Sequence, residues 1–373
     1  MSDHFFKSVK IENFRGIKSL EISDLARVNL FVGENNCGKT TVLEAAFLLA
    51  GIGNPNLIIN MQNGRGLTLV DGSDIKDFFY ERHCEKGLTL SGVQVKGERN
   101  LEVLPQYGDL QAAQMSGIAP VIPENGGLKR AQKLGVDASV AGQSLIGLRH
   151  QFTVANPVTG KSEQYQAGTR WIEVGNIQFA PFFDPRYKES IRGEVLYLRR
   201  GYNHASVDRM LNEKKRDLLL STLKSIDSKV VDIKTGSHGL VSVDISIDSF
   251  IPINLLGDGI VRILNVVSEI NRASNGILTV DEIENGLHVN ALKRVWEVIL
   301  NQSGKSYTQI FLTTHSQDAI KGLRAVLDES KNEFSDAVAC YRLVKFPDDV
   351  VRAYRYSGEQ LGMALDSHTD IRV

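Results

Sequence analysis

The sequence predicts an α/β fold built around a phosphate-binding loop, and three segments carry that prediction. The first is the run Gly33-Glu34-Asn35-Asn36-Cys37-Gly38-Lys39-Thr40-Thr41, which fits the pattern G-x-x-x-x-G-K-[ST]. The second is an apolar run over residues 276–280 that ends in Asp281 and Glu282. The third is another apolar run over residues 309–314 that ends in His315. Apolar strands whose polar tips carry loop, carboxylates and histidine, separated by helical patterns, are the signature of strands alternating with helices.

The phosphate-binding loop has the context its chemistry requires. Residues 27–32 place Val28, Leu30 and Val32 in alternation with Phe31 also apolar, as in a strand buried on both faces. Residues 42–50 are helix formers, apolar enough for a buried helix. Strand, glycine loop and helix then follow in the order that lets backbone N–H groups curl around phosphate oxygens at a helix N-terminus. Gly33, Asn35, Asn36, Cys37, Gly38 and Thr41 form the cradle, Lys39 brings a positive charge to the β and γ phosphates, and Thr40 offers its hydroxyl to Mg²⁺. A nucleoside triphosphate, ATP, with Mg²⁺ is the expected ligand.

The acidic tip of the second strand completes the metal site. Asp281 is the expected Mg²⁺ ligand, and Glu282 is placed to accept a hydrogen bond from the attacking water. Lys39 and Asp281 lie much farther apart than adjacent strands of a compact core require, so a long insertion separates them. Immediately before the acidic strand, Gly257, Asp258 and Gly259 open a helix with apolar residues at 260, 263, 264, 267 and 270. Its N-terminus binds anions by the same physics as the first. Leu292, Val295, Trp296 and Ile299 then fall on one helix face, and the histidine tip follows, with His315 placed to hydrogen-bond the γ-phosphate or the attacking water.

The domain organisation expected from these positions is an N-terminal part of the ATPase head over 1–65, an inserted α+β lobe over 66–250 and a C-terminal part of the head over 251–373. Within the insertion, residues 92–96, 169–174 and 240–245 alternate as half-exposed strands, residues 206–226 read as one helix, and the Gly- and Ala-rich stretch 112–147 reads as a mobile or partner-contacting loop. No heptad pattern lasts long enough for a coiled-coil arm. At the C-terminal end, residues 350–356 read as a final strand and 359–361 as a short helix.

Composition narrows the class. The 373 residues are 42% hydrophobic and 23% charged, enough to bury an α/β core with an added lobe. Three cysteines argue for a reducing, cytoplasmic compartment, and there is no apolar leader or membrane-length apolar run. The formal net charge of −1 lacks the basic excess of a dedicated nucleic-acid binder. The local basic runs Lys214-Lys215-Arg216 and Lys129-Arg130 with Lys133 read first as solvated faces.

The order Asn13-Phe14-Arg15-Gly16, P-loop, Leu-Gly-Asp-Gly at 256–259, Val-Asp-Glu-Ile-Glu-Asn-Gly-Leu-His at 280–288 and Thr-Thr-His-Ser at 313–316 resembles the SMC, RecF and OLD branch of ATP-binding cassette ATPases. It is most similar to the stand-alone OLD-like ATPases that bacterial anti-phage systems such as PARIS and Septu pair with a separately encoded effector. The resemblance covers residues 1–65 and 250–373. It implies an ABC-type P-loop NTPase head with a mixed sheet, an N-terminal antiparallel β edge and no long coiled coil. It also implies that Arg15 reaches bound nucleotide, that Gly257, Asp258 and Gly259 form the signature turn serving nucleotide held by another subunit, and that Gln62 is the Q-loop candidate. Leu256 and Gly257 stand where the cassette serine would be, so backbone N–H groups carry that contact and slow hydrolysis is expected. Residues 284–288 resemble the D-loop, with no chemistry assigned to His288. The 58 residues after His315 are too few for the metal-dependent nuclease domain of OLD nucleases. Two functions follow: an ATPase switch, homodimeric or larger, that governs an effector nuclease or toxin in response to a phage protein, or a RecF-like repair ATPase clamping duplex DNA.

Overall fold

The computed structural model describes residues 5–65, 74–95, 97–108, 144–155, 161–174, 176–188, 192–197, 203–236, 240–285, 287–330, 333–366 and 371–372. The chain begins with strands β1 (Phe6–Phe14), β2 (Ile17–Ile22) and β3 (Val28–Val32), then helices α1 (Lys39–Ala50) and α2 (Asn56–Gly64). Strands β4 (Leu88–Gln94), β5 (Gly97–Gly108), β6 (Ser144–Ala155), β7 (Ser162–Val174), β8 (Asn176–Phe182) and β9 (Arg192–Tyr197) follow. Next come α3 (His204–Asn212), α4 (Arg216–Lys224), β10 (Asp232–Thr235), β11 (Val241–Asp244) and β12 (Ile251–Pro252). The C-terminal third holds α5 (Asp258–Arg272), β13 (Gly276–Asp281), α6 (Val289–Lys305), β14 (Gln309–Thr313), α7 (Gln317–Glu329), β15 (Val338–Lys345), β16 (Val351–Tyr356) and α8 (Gly358–Asp366).

A six-stranded sheet in the order β16-β15-β3-β14-β13-β9 holds the expected functional strands. Five of these strands run parallel and β16 closes one edge antiparallel, so the sheet is mixed, as expected. The P-loop strand β3 lies beside β14, and the acidic strand β13 lies one place farther, so loop, histidine and carboxylates emerge along one carboxyl edge. Every residue of β3 is buried because both faces are covered. Phe31 stacks with Phe311 and Tyr341 on one face, while Val28, Leu30 and Val32 pack with α5, α6 and α7 on the other. Asn29, also fully buried, satisfies its amide on the carbonyl of Ala26 and the N–H of Ala26.

The second sheet has seven antiparallel strands in the order β2-β1-β4-β5-β6-β7-β8. Helix α1 lies between the two sheets, and all of its residues except Thr40 are buried. That explains why its sequence is apolar around its whole circumference. Its C-terminus is fastened by Arg99 of β5, 5% exposed, whose Nη1 donates to the carbonyls of Ala50 at 3.3 Å and Leu49 at 3.5 Å. The segment 66–250 contributes β4–β8 to this sheet and β9 to the six-stranded one.

The single helix expected over residues 206–226 is two helices. Lys214 adopts a left-handed φ of 60° between α3 and α4, and the backbone turns there. The basic run at that turn is matched by acid: Lys215 donates to Glu213 at 2.7 Å and Arg216 pairs with Asp232. Lys129, Arg130, Lys133 and residues 112–143 lie outside the described residues, and 144–147 belong to β6. Helices α5, α6 and α7 cover the outer face of the six-stranded sheet, with the indole N–H of Trp296 donating to the carbonyl of Ala319 at 2.7 Å. Among the described residues, no helix is long and apolar enough to cross a membrane.

Candidate active site

The P-loop takes its shape from positive-φ positions at Gly33 (143°), Asn36 (63°) and Gly38 (98°). A Cβ at Gly33 would lie 2.5 Å from the carbonyl oxygen of Leu343, so strand β15 also demands glycine there. Lys39 is 5% exposed, and its ammonium donates to the carbonyls of Gly33 at 2.9 Å and Glu34 at 2.7 Å. Burial lowers its pKa, and those two carbonyls hold the ammonium in the mouth of the loop.

Thr40 and Asp281 meet as expected. The hydroxyl of Thr40 donates to Oδ2 of Asp281 at 3.0 Å, which brings two hard oxygen donors together, one from the first turn of α1 and one from the end of β13. Thr313, a residue the sequence did not single out, organises the carboxylate side. Its hydroxyl donates to Oδ1 of Asp281 at 2.5 Å and accepts the backbone N–H of Glu282 at 2.8 Å. Glu282 has a left-handed φ of 52° that turns its side chain out of the strand, and the residue is exposed. Asn285 Nδ2 lies 3.4 Å from its Oε2.

His315 sits half-buried just beyond β14, with Ser316 capping α7 by accepting from the N–H groups of Asp318 and Ala319. The His315 carbonyl accepts from Arg372 at 2.8 Å. Arg372 also lines a cavity of about 490 Å³ shared with Glu34, Asn35, Asn36 and Cys37, which puts His315 and the tip of the P-loop on one side of the molecule. The segment that resembles a D-loop is tied in at Glu284. Its carboxylate accepts from the hydroxyl of Thr314 at 2.7 Å and from the N–H of His315 at 2.6 Å.

Three of these residues are held in ways that the sequence does not show. Arg15 is enclosed by the fold: its Nε pairs with Glu44 of α1 at 2.6 Å, its Nη2 donates to Gln62 at 3.0 Å, and its guanidinium lies over Phe14 and Phe78. Gln62 is not on a loop. It belongs to α2 and is 1% exposed, so its carbonyl is committed to Arg15. Cys37 stands beside Lys39 in the loop. It is 3% exposed, and burial raises its pKa by more than Lys39, 3.8 Å away, can lower it. The turn at Gly257 opens α5 with a φ of 102° and no side-chain cap on its N–H groups, while Asp258 is exposed. A Cβ on Gly257 would meet nothing within 4 Å, and one on Gly259 only Ala291 at 3.8 Å.

Comparison with known proteins finds ATPase-domain matches over both segments that build this site. Residues 5–84 match the family model described as an AAA ATPase domain, and residues 169–320 match the one described as "AAA domain, putative AbiEii toxin, Type IV TA system". A Helicobacter pylori protein named an ATP/GTP phosphatase is 24% identical over 392 residues, covering 98% of this chain and 99% of its own. A Methanocaldococcus jannaschii protein, MJECL10, is 40% identical over 42 residues, 11% of this chain and 19% of its own. Among solved structures, an SMC head bound to the C-terminal winged-helix domain of ScpA aligns over 95% of this chain and 99% of its own, with a TM-score of 0.46 and 11% identity. The SMC head domain of Thermotoga maritima aligns over 94% and 98%, with a TM-score of 0.42 and 11% identity. A P-loop with its lysine seated, a threonine and an aspartate converging beside it, and AAA-type ATPase matches over both the loop and the carboxylate strand make this chain an ATP-hydrolysing enzyme.

Proposed function

We propose that this ATPase hydrolyses purine nucleoside triphosphate at a site shared between two copies of the chain, and that closure of this site acts as a cytoplasmic switch on a separately encoded effector in anti-phage defence. Lys39 leaves the carbonyls of Gly33 and Glu34 to contact the β and γ phosphates. Thr40 and Asp281 would hold Mg²⁺, which would supply positive charge against that developing on the transferred phosphoryl group. Glu282, turned outward at φ 52°, orients the attacking water, and His315 contacts the γ-phosphate side. The Helicobacter pylori relative is named for both ATP and GTP, which supports a site that tolerates either base.

The observation that carries the shared site is the opening of α5. Its glycine turn presents uncapped N–H groups, Asn254, Gly257 and Asp258 are exposed, and Leu255 is 72% exposed. An anion-binding helix end with an apolar residue beside it is suited to the nucleotide and surface of a second copy. For the effector role, the sequence resemblance and the toxin–antitoxin description of the matched model give support. The basic residues Lys215 and Arg216 are occupied by Glu213 and Asp232, which removes the most obvious phosphate contacts of a DNA clamp. The test is affinity purification from the native operon together with a duplex-DNA shift assay in Mg-ATP. The expected result is co-purification of an adjacent gene product and no shift at physiological salt; a tight, ATP-dependent DNA complex without a protein partner would contradict the proposal.

A further inference from the structure

We infer that Glu284 is a positioning residue for His315, fastening the tip of β14 to the loop that follows Asp281. Both of its carboxylate oxygens are used. Oε1 accepts the backbone N–H of His315 at 2.6 Å, and Oε2 accepts the hydroxyl of Thr314 at 2.7 Å. Hydrogen bonds to an ionised acceptor are about twice as strong as neutral ones, so this is a strong polar link between the two segments, beside that of Thr313 to Asp281. It is reinforced by the N–H of Ile283, which donates to the carbonyl of Thr313 at 3.1 Å.

The opposite end of the same histidine is also held. Arg372 donates to the His315 carbonyl at 2.8 Å, so the residue is gripped at its N–H by an anion and at its carbonyl by a cation. Arg372 lines the cavity beside Asn35 and Asn36, which ties that grip to the P-loop tip. On the other side, Glu284 is followed by Asn285, His288 and Val289, all exposed. His315 is therefore coupled to an outward-facing loop, and whatever docks on that loop shifts the histidine through one carboxylate.

The chemistry of the side chain sets the test. Two donors converge on one point, so alanine satisfies neither. Glutamine satisfies both, because its carbonyl takes the His315 N–H and the Thr314 hydroxyl reverses to accept from its amide. The inference rests on the reading that His315 serves hydrolysis, and the experiment separates the two. Single-turnover hydrolysis and nucleotide affinity are measured for Glu284→Ala, Glu284→Gln, His315→Ala and the double alanine variant. Expected are a fall of about tenfold or more in hydrolysis for Glu284→Ala with affinity held within about twofold, near-normal hydrolysis for Glu284→Gln, and a double variant no slower than His315→Ala alone. Multiplying effects in the double variant, or full activity in Glu284→Ala beside a slow His315→Ala, would overturn the positioning role and leave that of His315 intact. Full activity in His315→Ala would overturn both. If Glu284→Ala fails to fold, Thr314→Val, which removes one of the two bonds, carries the same comparison.

Discussion

Replacing Glu44 probes how α1 is held. The Glu44 side chain is 8% exposed and takes Arg15, 9% exposed, at 2.6 Å and Arg65, 35% exposed, at 2.7 Å. In Glu44→Leu, Arg65 can turn into solvent and loses little. Arg15 cannot, since it is enclosed by Phe14, Phe78 and Gln62. Removing one partner of a buried pair costs about 3–5 kcal/mol, and with one of the two arginines free to re-solvate the lower end, about 3 kcal/mol, is expected. Urea unfolding followed by circular dichroism reads this as a lower midpoint with unchanged slope. The double variant Arg15→Leu with Glu44→Leu should regain most of the loss, because the site then holds no uncompensated charge. A loss below about 1 kcal/mol, or a double variant as unstable as the sum of its parts, would refute the reasoning.

His150 of β6 is fully buried, and burial pushes its pKa down to about 4 from its ordinary 6.5. The unfolded chain therefore binds the extra proton first, so stability is complete above pH 6.5 and falls toward pH 4 by about 3 kcal/mol in all; His150→Leu should flatten denaturation curves over that window, and an unchanged slope would count against it. Cys37, Cys84 and Cys340 are all buried, and burial pushes Cys340 up to about 12, so a thiol reagent at neutral pH should label them only on unfolding. Labelling of the native protein at the rate of free cysteine would show the loop is more open than this. Thr40→Val removes one of two converging oxygens, so hydrolysis should fall at least about tenfold while metal-free nucleotide binding persists. Equal turnover in a steady-state phosphate assay would remove Thr40 from the metal site.

Much of this architecture is visible in the sequence because its signals are local. The P-loop pattern, the alternation of Val28, Leu30 and Val32 and the helical spacing of Ile260, Ile263, Leu264, Val267 and Ile270 each depend on near neighbours, and each lands where expected. The remaining features depend on pairing between distant segments. Helix α1 is apolar all round because a second sheet covers it, and that sheet exists only through the pairing of β1 with β4. Thr313 and Glu284 have no periodicity to betray them, and their roles appear once β14 lies parallel to β13. At Cys37 the sequence shows the charge of Lys39 and hides the burial that outweighs it. Gln62 reads as a loop residue until α2 buries it against Arg15.

The proposal that the active site is shared between two copies is tested most directly by mixing two inactive proteins. Lys39→Ala disables the P-loop, and Gly259→Glu blocks the opening of α5; its added Cβ meets only Ala291 at 3.8 Å, so the carboxylate repels phosphate without disturbing the core. A heterodimer of the two contains one composite site with an intact P-loop from one copy and an intact glycine turn from the other. ATP hydrolysis by the mixture, measured as phosphate release across protein concentrations, should exceed that of either variant alone and rise as heterodimers form. A mixture no more active than its components, beside a wild-type protein that is monomeric and fully active by light scattering, would contradict the account.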